Sequence, residues 1–413
     1  MIVEKIKAKS FAKKGKIDSW WWAEASMNPY RGCFHDCKYC DGKAESYHIH
    51  EDFANRIQGK INSPQLLDQF FKKLGYFPSN RSKSSTLIDF IPESKVNVES
   101  KQPGKFICGL GGGVCDVYQP AEKKLRITQK LLQVVYDYNF PLFLLTKSSF
   151  VLRDIDLLRK INSSSYVNIG FSITLANEKG QKIIEPRAST TNERFEAMKN
   201  LRKENIHSGV LFLPVLPWIG DTDENMDNIF KQAINAQAEY ILIGGMTLKP
   251  GRNKKEFLNV IKKNYPDLLD SYIKLYSNEN KYGQPDEVQI QRLGLEKATV
   301  KAYEYSKRYK IPIRIPRYIP EGRIDTNLRI STILFFLAYI KTIRPPIWNN
   351  TYSFQKAAQF IDSYNIDLQE LSVKQIRELP ISKNVLPYVY EFLETKRCSY
   401  LEDIGEFDNM FVN

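Results

Sequence analysis

Five apolar runs, separated by four stretches with apolar residues at helical spacing, constrain this chain more than any other feature. The runs are Lys105–Leu110, Pro141–Leu145, Val167–Thr174, Ser208–Pro214 and Tyr240–Met246. The stretches are Lys123–Tyr138, Val151–Ile161, Thr191–Asn205 and Glu224–Gln237. A run of four to eight apolar residues suits a strand buried on both faces, and apolar spacing of three and four suits a helix lying over it. Repetition of that unit implies a parallel sheet with right-handed crossovers, either doubly wound or closed fully or partly into a barrel. In a barrel the chemistry is expected at the C-terminal ends of the strands.

Around this rhythm the 413 residues divide into zones. Residues 1–26 form a basic lead ending in Trp20, Trp21 and Trp22, of which at least one is expected in the core. Residues 27–250 carry the βα rhythm, interrupted at 78–103 by a Ser-, Asn-, Lys- and Pro-rich segment that reads as an exposed insertion. Residues 251–325 are expected to complete the barrel and include the Pro-punctuated run Ile311–Pro320, which reads as an extended return to the core. Residues 326–413 read as a helical subdomain.

The apolar stretch Ile330–Ile340 is bounded by Arg329 and Lys341 and is far shorter than the roughly 20 residues that span a bilayer. It is expected as a buried helix. The basic N-terminus lacks the apolar run of a signal peptide, so a cytoplasmic, reducing location without membrane attachment is expected. Lys and Arg number 60 against 47 Asp and Glu, a net charge of +13 that is compatible with a nucleic-acid partner. Arg314, Arg317 and Arg323, with Tyr318 among them, could track a phosphate backbone or be solvated at a strand edge.

Cys33, Cys37 and Cys40 lie within eight residues. A structural zinc site usually takes four ligands in two separated pairs, and no second Cys-x2-Cys pair exists here. Three thiolates on one loop suit a [4Fe–4S] cluster with one iron left open. Zinc completed by His35 or Cys108, and three ordinary buried thiols, are the competing readings. His48 and His50 lack a third ligand and read as hydrogen-bonded or surface residues.

The Cys-x3-Cys-x2-Cys spacing, with aromatic Tyr39 before the last cysteine, resembles the signature of the radical S-adenosylmethionine (SAM) superfamily. Asn28–Cys33, Asp116–Glu122, Leu145–Lys147, Gly170–Thr174 and Glu185–Ala188 together resemble its spore photoproduct lyase-like branch, over about residues 20–250. The resemblance implies a partial (β/α)6-type barrel with a mostly helical C-terminal extension. It implies a [4Fe–4S] cluster on Cys33, Cys37 and Cys40, and reductive cleavage of SAM to a 5′-deoxyadenosyl radical. Lys147, Ser172, Thr174, Glu185 and Arg187 would contact SAM, though Glu185 and Arg187 could equally pair with each other. Cys115, Tyr39 and Asp116 would serve the chemistry, Cys115 or Tyr39 by relaying a hydrogen atom or electron.

The implied substrate is a DNA lesion such as a thymine dimer, with a reduced flavodoxin or ferredoxin as electron donor. Two departures stand out: Asp41 replaces the tyrosine that follows the third cysteine in the lyase, and Gly113 occupies the place of its hydrogen-donating cysteine. The alternatives are a radical SAM enzyme modifying RNA, a peptide or a small metabolite, and a non-catalytic metal-stabilised nucleic-acid-binding protein.

Overall fold

The computed structural model describes residues 2–80, 103–113, 115–295, 297–344 and 351–412. Most of the expected insertion at 78–103 falls outside the described residues.

Among the described residues ten strands form two sheets. They are β1 (Ile2–Ile6), β2 (Lys13–Lys14), β3 (Ala23–Met27), β4 (Tyr30–Arg31), β5 (Arg56–Lys60), β6 (Ile107–Leu110), β7 (Leu142–Thr146), β8 (Val167–Ser172), β9 (His207–Val215) and β10 (Ile241–Gly245). The main sheet runs β10-β9-β8-β7-β6-β3-β2. All its neighbours pair parallel except β2, which is antiparallel to β3. The six parallel strands make a barrel-like sheet that stays unclosed, since among the described residues no pairing joins β10 to β2 or β3. A small sheet, β1-β5-β4, stands beside it.

Five of the six parallel strands lie on the expected apolar runs. Strands β6 and β8 are buried along their whole length, which is why they read as continuous apolar segments rather than alternating ones. The sixth, β3, falls largely within the basic lead, where Ala-Glu-Ala-Ser-Met gives no strong apolar signal.

One expected helix breaks. Residues 123–138 form two helices, Ala121–Leu125 and Ile127–Asp137, divided by Arg126 in the left-handed region. The buried Glu122 carboxylate accepts from Thr128 N (2.9 Å) and Gln129 N (3.2 Å), which caps the second helix from within the first. Helix Thr191–Lys203 starts at a capping box of Thr190 and Glu193, and helix Asp223–Asn235 at Thr222.

The Pro-punctuated run does return to the core. Ile241 N donates to Pro312 O (2.8 Å), covering the free edge of β10, and Arg317 bridges Phe411. Trp22 is buried, and its indole Nε1 donates to Ile315 O at 2.8 Å. Arg317 is buried too, paired with Asp362 at 2.5 Å, and Arg323 bonds Glu24 and Asp362. Arg314 is buried and bonds Ser19 O. These arginines staple the ends of the chain together, so neither a phosphate track nor a solvated edge describes them; Tyr318 stacks on Tyr166.

Beyond the sheet, helix Asp325–Ile340 is buried along nearly its whole length and packs on helix Tyr352–Ser363 within a helical C-terminal part. No described helix is long and apolar enough to cross a membrane.

Candidate functional site

Strand register builds the site. It puts Phe143 and Leu145 of β7, Gly170 and Ser172 of β8, and Leu211 and Leu213 of β9 on one face of the sheet. Lys147 follows β7 with the same parity, and its Nζ lies 2.9 Å from Ser172 Oγ and 5.7 Å from the centre of the Tyr39 ring. Ser172 Oγ is also 3.1 Å from Leu213 O. The strands' C-terminal ends thus present an ammonium, a hydroxyl and an aromatic ring together.

The cysteine loop closes over these ends. Gly32 (φ 80°) turns the chain into it, and a Cβ there would meet Phe53 O and Arg56 O at 2.7 Å. Phe34 N donates to Gln119 Oε1 (2.9 Å), Lys38 N to Ile184 O (2.8 Å), and Asn253 Nδ2 to Cys40 O (2.8 Å). Lys43 and Lys38 bind Asp36 (2.7 and 2.6 Å) and share Glu256. Gln119, Asn253 and Glu256 are not signalled by local pattern, because the loop residues they hold lie tens to hundreds of residues away.

Cys33 and Cys37 are buried and Cys40 is half-buried, all as free thiols. Burial pushes each thiol up, Cys37 to about 12, and neighbouring cysteines reinforce the effect at Cys33 and Cys37. A cationic metal partner would relieve that penalty. Among the described residues no three His, Cys, Asp or Glu side chains converge as a metal-ion site, so the fit rests on the donor set. Cys108 lies on β6 with Glu24 and Lys14 as its charged neighbours, and His35 Nδ1 turns to Asp116 Oδ2 at 3.4 Å. Neither candidate fourth zinc ligand belongs to the set, and three thiols on one loop fit an iron–sulfur cluster.

The remaining expected residues divide. Thr174 Oγ1 is 3.3 Å from Tyr39 Oη and 3.4 Å from Glu185 Oε1, and the Tyr39 hydroxyl donates to Glu185. Glu185 pairs with Arg194 rather than with Arg187. Arg194 is completely buried: Nη2 reaches Glu185 Oε2 (2.5 Å) and Ser189 O (2.6 Å), Nη1 reaches Ser172 O (2.7 Å), and Nε reaches Ser189 O (2.9 Å). Arg187 points away to the surface, bonding Ala54 O and Asn55 and stacking on Phe34 at 4.7 Å.

Asp116 is saturated. It accepts from Tyr118 N (2.8 Å), Thr146 Oγ1 (2.8 Å) and Lys147 N (2.6 Å). Burial works to raise its pKa, but His35 and the backbone donors hold it down at about 2. It orients the start of the Lys147 turn rather than offering a free base. Cys115 Sγ lies 2.6 Å from Asn28 Oδ1, and Asn28 Nδ2 donates to Gly112 O (2.7 Å). Gly111 (φ 99°) brings this turn against Leu145 O, where a Cβ would come within 2.7 Å. His48 is exposed in the left-handed region and His50 has neither ring nitrogen bonded, so the two do not form a metal pair.

A cavity of about 760 Å³ opens where the barrel fails to close. Trp20, Trp21, Leu213, Gly244, Met246 and Tyr276 line it, with Trp21 stacked on Phe143 at 5.6 Å. Thr247, also in the lining, bonds Asp41 Oδ2 (3.0 Å) directly after Cys40, so the cavity reaches the cysteine loop.

Comparison with known proteins places these features in a family context. The sequence model of the radical SAM superfamily matches residues 27–233. An uncharacterized protein of Methanocaldococcus jannaschii is 25% identical over 271 residues, 64% of this chain and 83% of that one. An uncharacterized protein of Mycobacterium tuberculosis is 23% identical over 255 residues, 61% of this chain. That match spans 66% of the mycobacterial protein, just under two thirds of its length. A tyrosine-to-phenylalanine variant of spore photoproduct lyase has a similar fold, with a TM-score of 0.50 at 15% identity over 74% of this chain and 79% of that one.

Proposed function

The chain belongs to the radical SAM superfamily, and from that premise we propose a lyase-like enzyme that acts on a base lesion in DNA such as a thymine dimer. Members of this superfamily use a [4Fe–4S] cluster and SAM, whose reductive cleavage supplies a 5′-deoxyadenosyl radical for hydrogen abstraction. One observation carries the reading: three thiols on a single loop, two buried and one half-buried, lie beside an ammonium and a hydroxyl presented by adjacent parallel strands.

In this reading Cys33, Cys37 and Cys40 hold the cluster. The Lys147 ammonium attracts the SAM carboxylate and Ser172 takes a ribose hydroxyl. The Tyr39 ring lies beneath Lys147, held by Glu185, Thr174 and Arg194. Cys115 is the hydrogen donor to the product radical: burial pushes its pKa to about 12, so the sulfur keeps its proton, and Asn28 orients the thiol. Arg187 has no part in SAM binding, since its partners lie on the surface.

A second reading keeps the chemistry and replaces DNA by an uncharged metabolite or a peptide. The cavity lining favours it. Among the described residues the one cation in the lining, Lys297, is 3.1 Å from Glu287, so these residues offer a phosphate no free positive charge.

The test is anaerobic reconstitution with iron and sulfide, reduction, addition of SAM and measurement of 5′-deoxyadenosine with and without lesion-bearing DNA. Cys33→Ala, Cys37→Ala and Cys40→Ala should each abolish the product, and turnover by any of them refutes the assignment. Stimulation by lesion DNA with repair supports the first reading, whereas SAM cleavage indifferent to DNA moves the substrate to the second. A colourless zinc protein would instead support a non-catalytic nucleic-acid-binding role.

A further inference from the structure

The cysteine loop has two sides. One faces the strand ends, with Lys147 and Tyr39. The other is covered by helix Glu178–Ile184, joined to the loop through Lys38 N and Ile184 O, and by helix Arg252–Asn264, joined through Asn253 and Cys40 O. Phe257, Ile261 and Ile184 pack with Cys37 and Tyr39 in one apolar cluster, so the inward faces of both helices lie against the loop.

Their outward faces carry Lys179, Lys182, Lys255, Lys262 and Lys263, all exposed. None of the five has an ion-pair partner among the described residues. The nearby carboxylates of Asp36 and Glu256 are already taken by Lys38 and Lys43. Exposed Glu178 and, past the second helix, Asp267 and Asp270 partly offset this charge. A helix with its side chains is about 10–12 Å across, so a partner seated on the lysines is separated from the thiols by roughly one helix. Approach from the opposite side would compete with SAM and substrate at the strand ends.

We propose that this lysine face docks an acidic one-electron carrier protein that reduces the cluster. The inference rests on the cluster reading above. In the step the carrier is oxidised by one electron and the cluster reduced by one, with no bond made or broken. Five unpaired cations on one surface steer an acidic partner and orient its docking, an effect that falls with ionic strength.

The experiment compares the reconstituted protein with a K182E/K255E/K262E variant, using purified flavodoxin as the acidic carrier. The first readout, binding of flavodoxin to the immobilised protein, needs no turnover. At low salt the variant should bind at least tenfold more weakly and lose most of the salt dependence. In the second, bleaching of the cluster absorbance by reduced flavodoxin should slow at least tenfold, while bleaching by dithionite stays within about twofold of wild type. Wild-type affinity and wild-type flavodoxin rates in the variant would overturn the docking face. Wild-type protein that takes up no iron, or whose absorbance dithionite leaves unchanged, would overturn the cluster reading on which the face depends.

Discussion

Replacing Arg194 by Met tests how the site is held. The guanidinium is completely buried and makes four hydrogen bonds, to the Glu185 carboxylate, twice to Ser189 O and once to Ser172 O. Methionine fills much of the volume but leaves the Glu185 charge without its partner, and removing one member of a buried ion pair costs about 3–5 kcal/mol. With a urea slope near 3 kcal/mol/M for a chain of this size, the unfolding midpoint should fall by about 1–1.7 M, read by tryptophan fluorescence. The double variant E185Q/R194M removes the stranded charge as well and should recover a substantial share of the loss, because a neutral amide in that pocket costs less than a lone carboxylate. Tyr39 and Ser172 lose their anchor in both variants, so SAM affinity should fall in both. An R194M protein within about 0.5 kcal/mol of wild type, or a double variant less stable than R194M, would refute the reasoning.

Lys147→Met should raise the KM for SAM at least tenfold and leave the urea midpoint within about 0.3 M, since among the described residues the ammonium's direct contacts are Ser172 Oγ and the Tyr39 ring. Cys115→Ala should still cleave SAM but accumulate substrate-derived side products, detected by mass spectrometry; clean product at the wild-type rate would remove Cys115 from the chemistry. Trp21→Ala should shrink the response of intrinsic fluorescence to cavity ligands and destabilise the protein by about 1–3 kcal/mol, less than the loss of a fully buried aromatic, because Trp21 is half-buried beside the cavity.

The strands and the thiol loop were legible because their signals are local. Apolar runs such as Val167–Ser172 carry their burial in their own residues, and Cys33, Cys37 and Cys40 are neighbours in sequence. Lys147 and Ser172 were legible for a related reason: both stand at the ends of apolar runs, and strand parity puts them on one face. What escaped depends on distant partners. Arg194 looks like any arginine on an amphipathic helix, and only the fold brings it to Glu185 and Ser172. Glu185 and Arg187 invite pairing because only Pro186 separates them, yet the bend there sends one inward and the other out to Asn55. Arg314 and Arg317 looked like a basic stripe until the C-terminal helices closed over them. Strand β3 hid because four of its five residues, Ala23, Glu24, Ala25 and Ser26, carry little or no apolar bulk.

The indole of Trp22 finds its acceptor, Ile315 O, 293 residues downstream. During synthesis at about 5–20 residues per second, the first parallel strand leaves the ribosome some 15–60 s before the segment that locks its tryptophan into place. Until then the tryptophans beside the unclosed seam have no permanent cover, and Arg323, which will bind Glu24, does not yet exist. The superfamily-matching stretch 27–233 omits most of β3, all of β10 and the stapling arginines. Expressed alone, that stretch should stay associated with chaperones, whereas the full chain folds once its last third has been made.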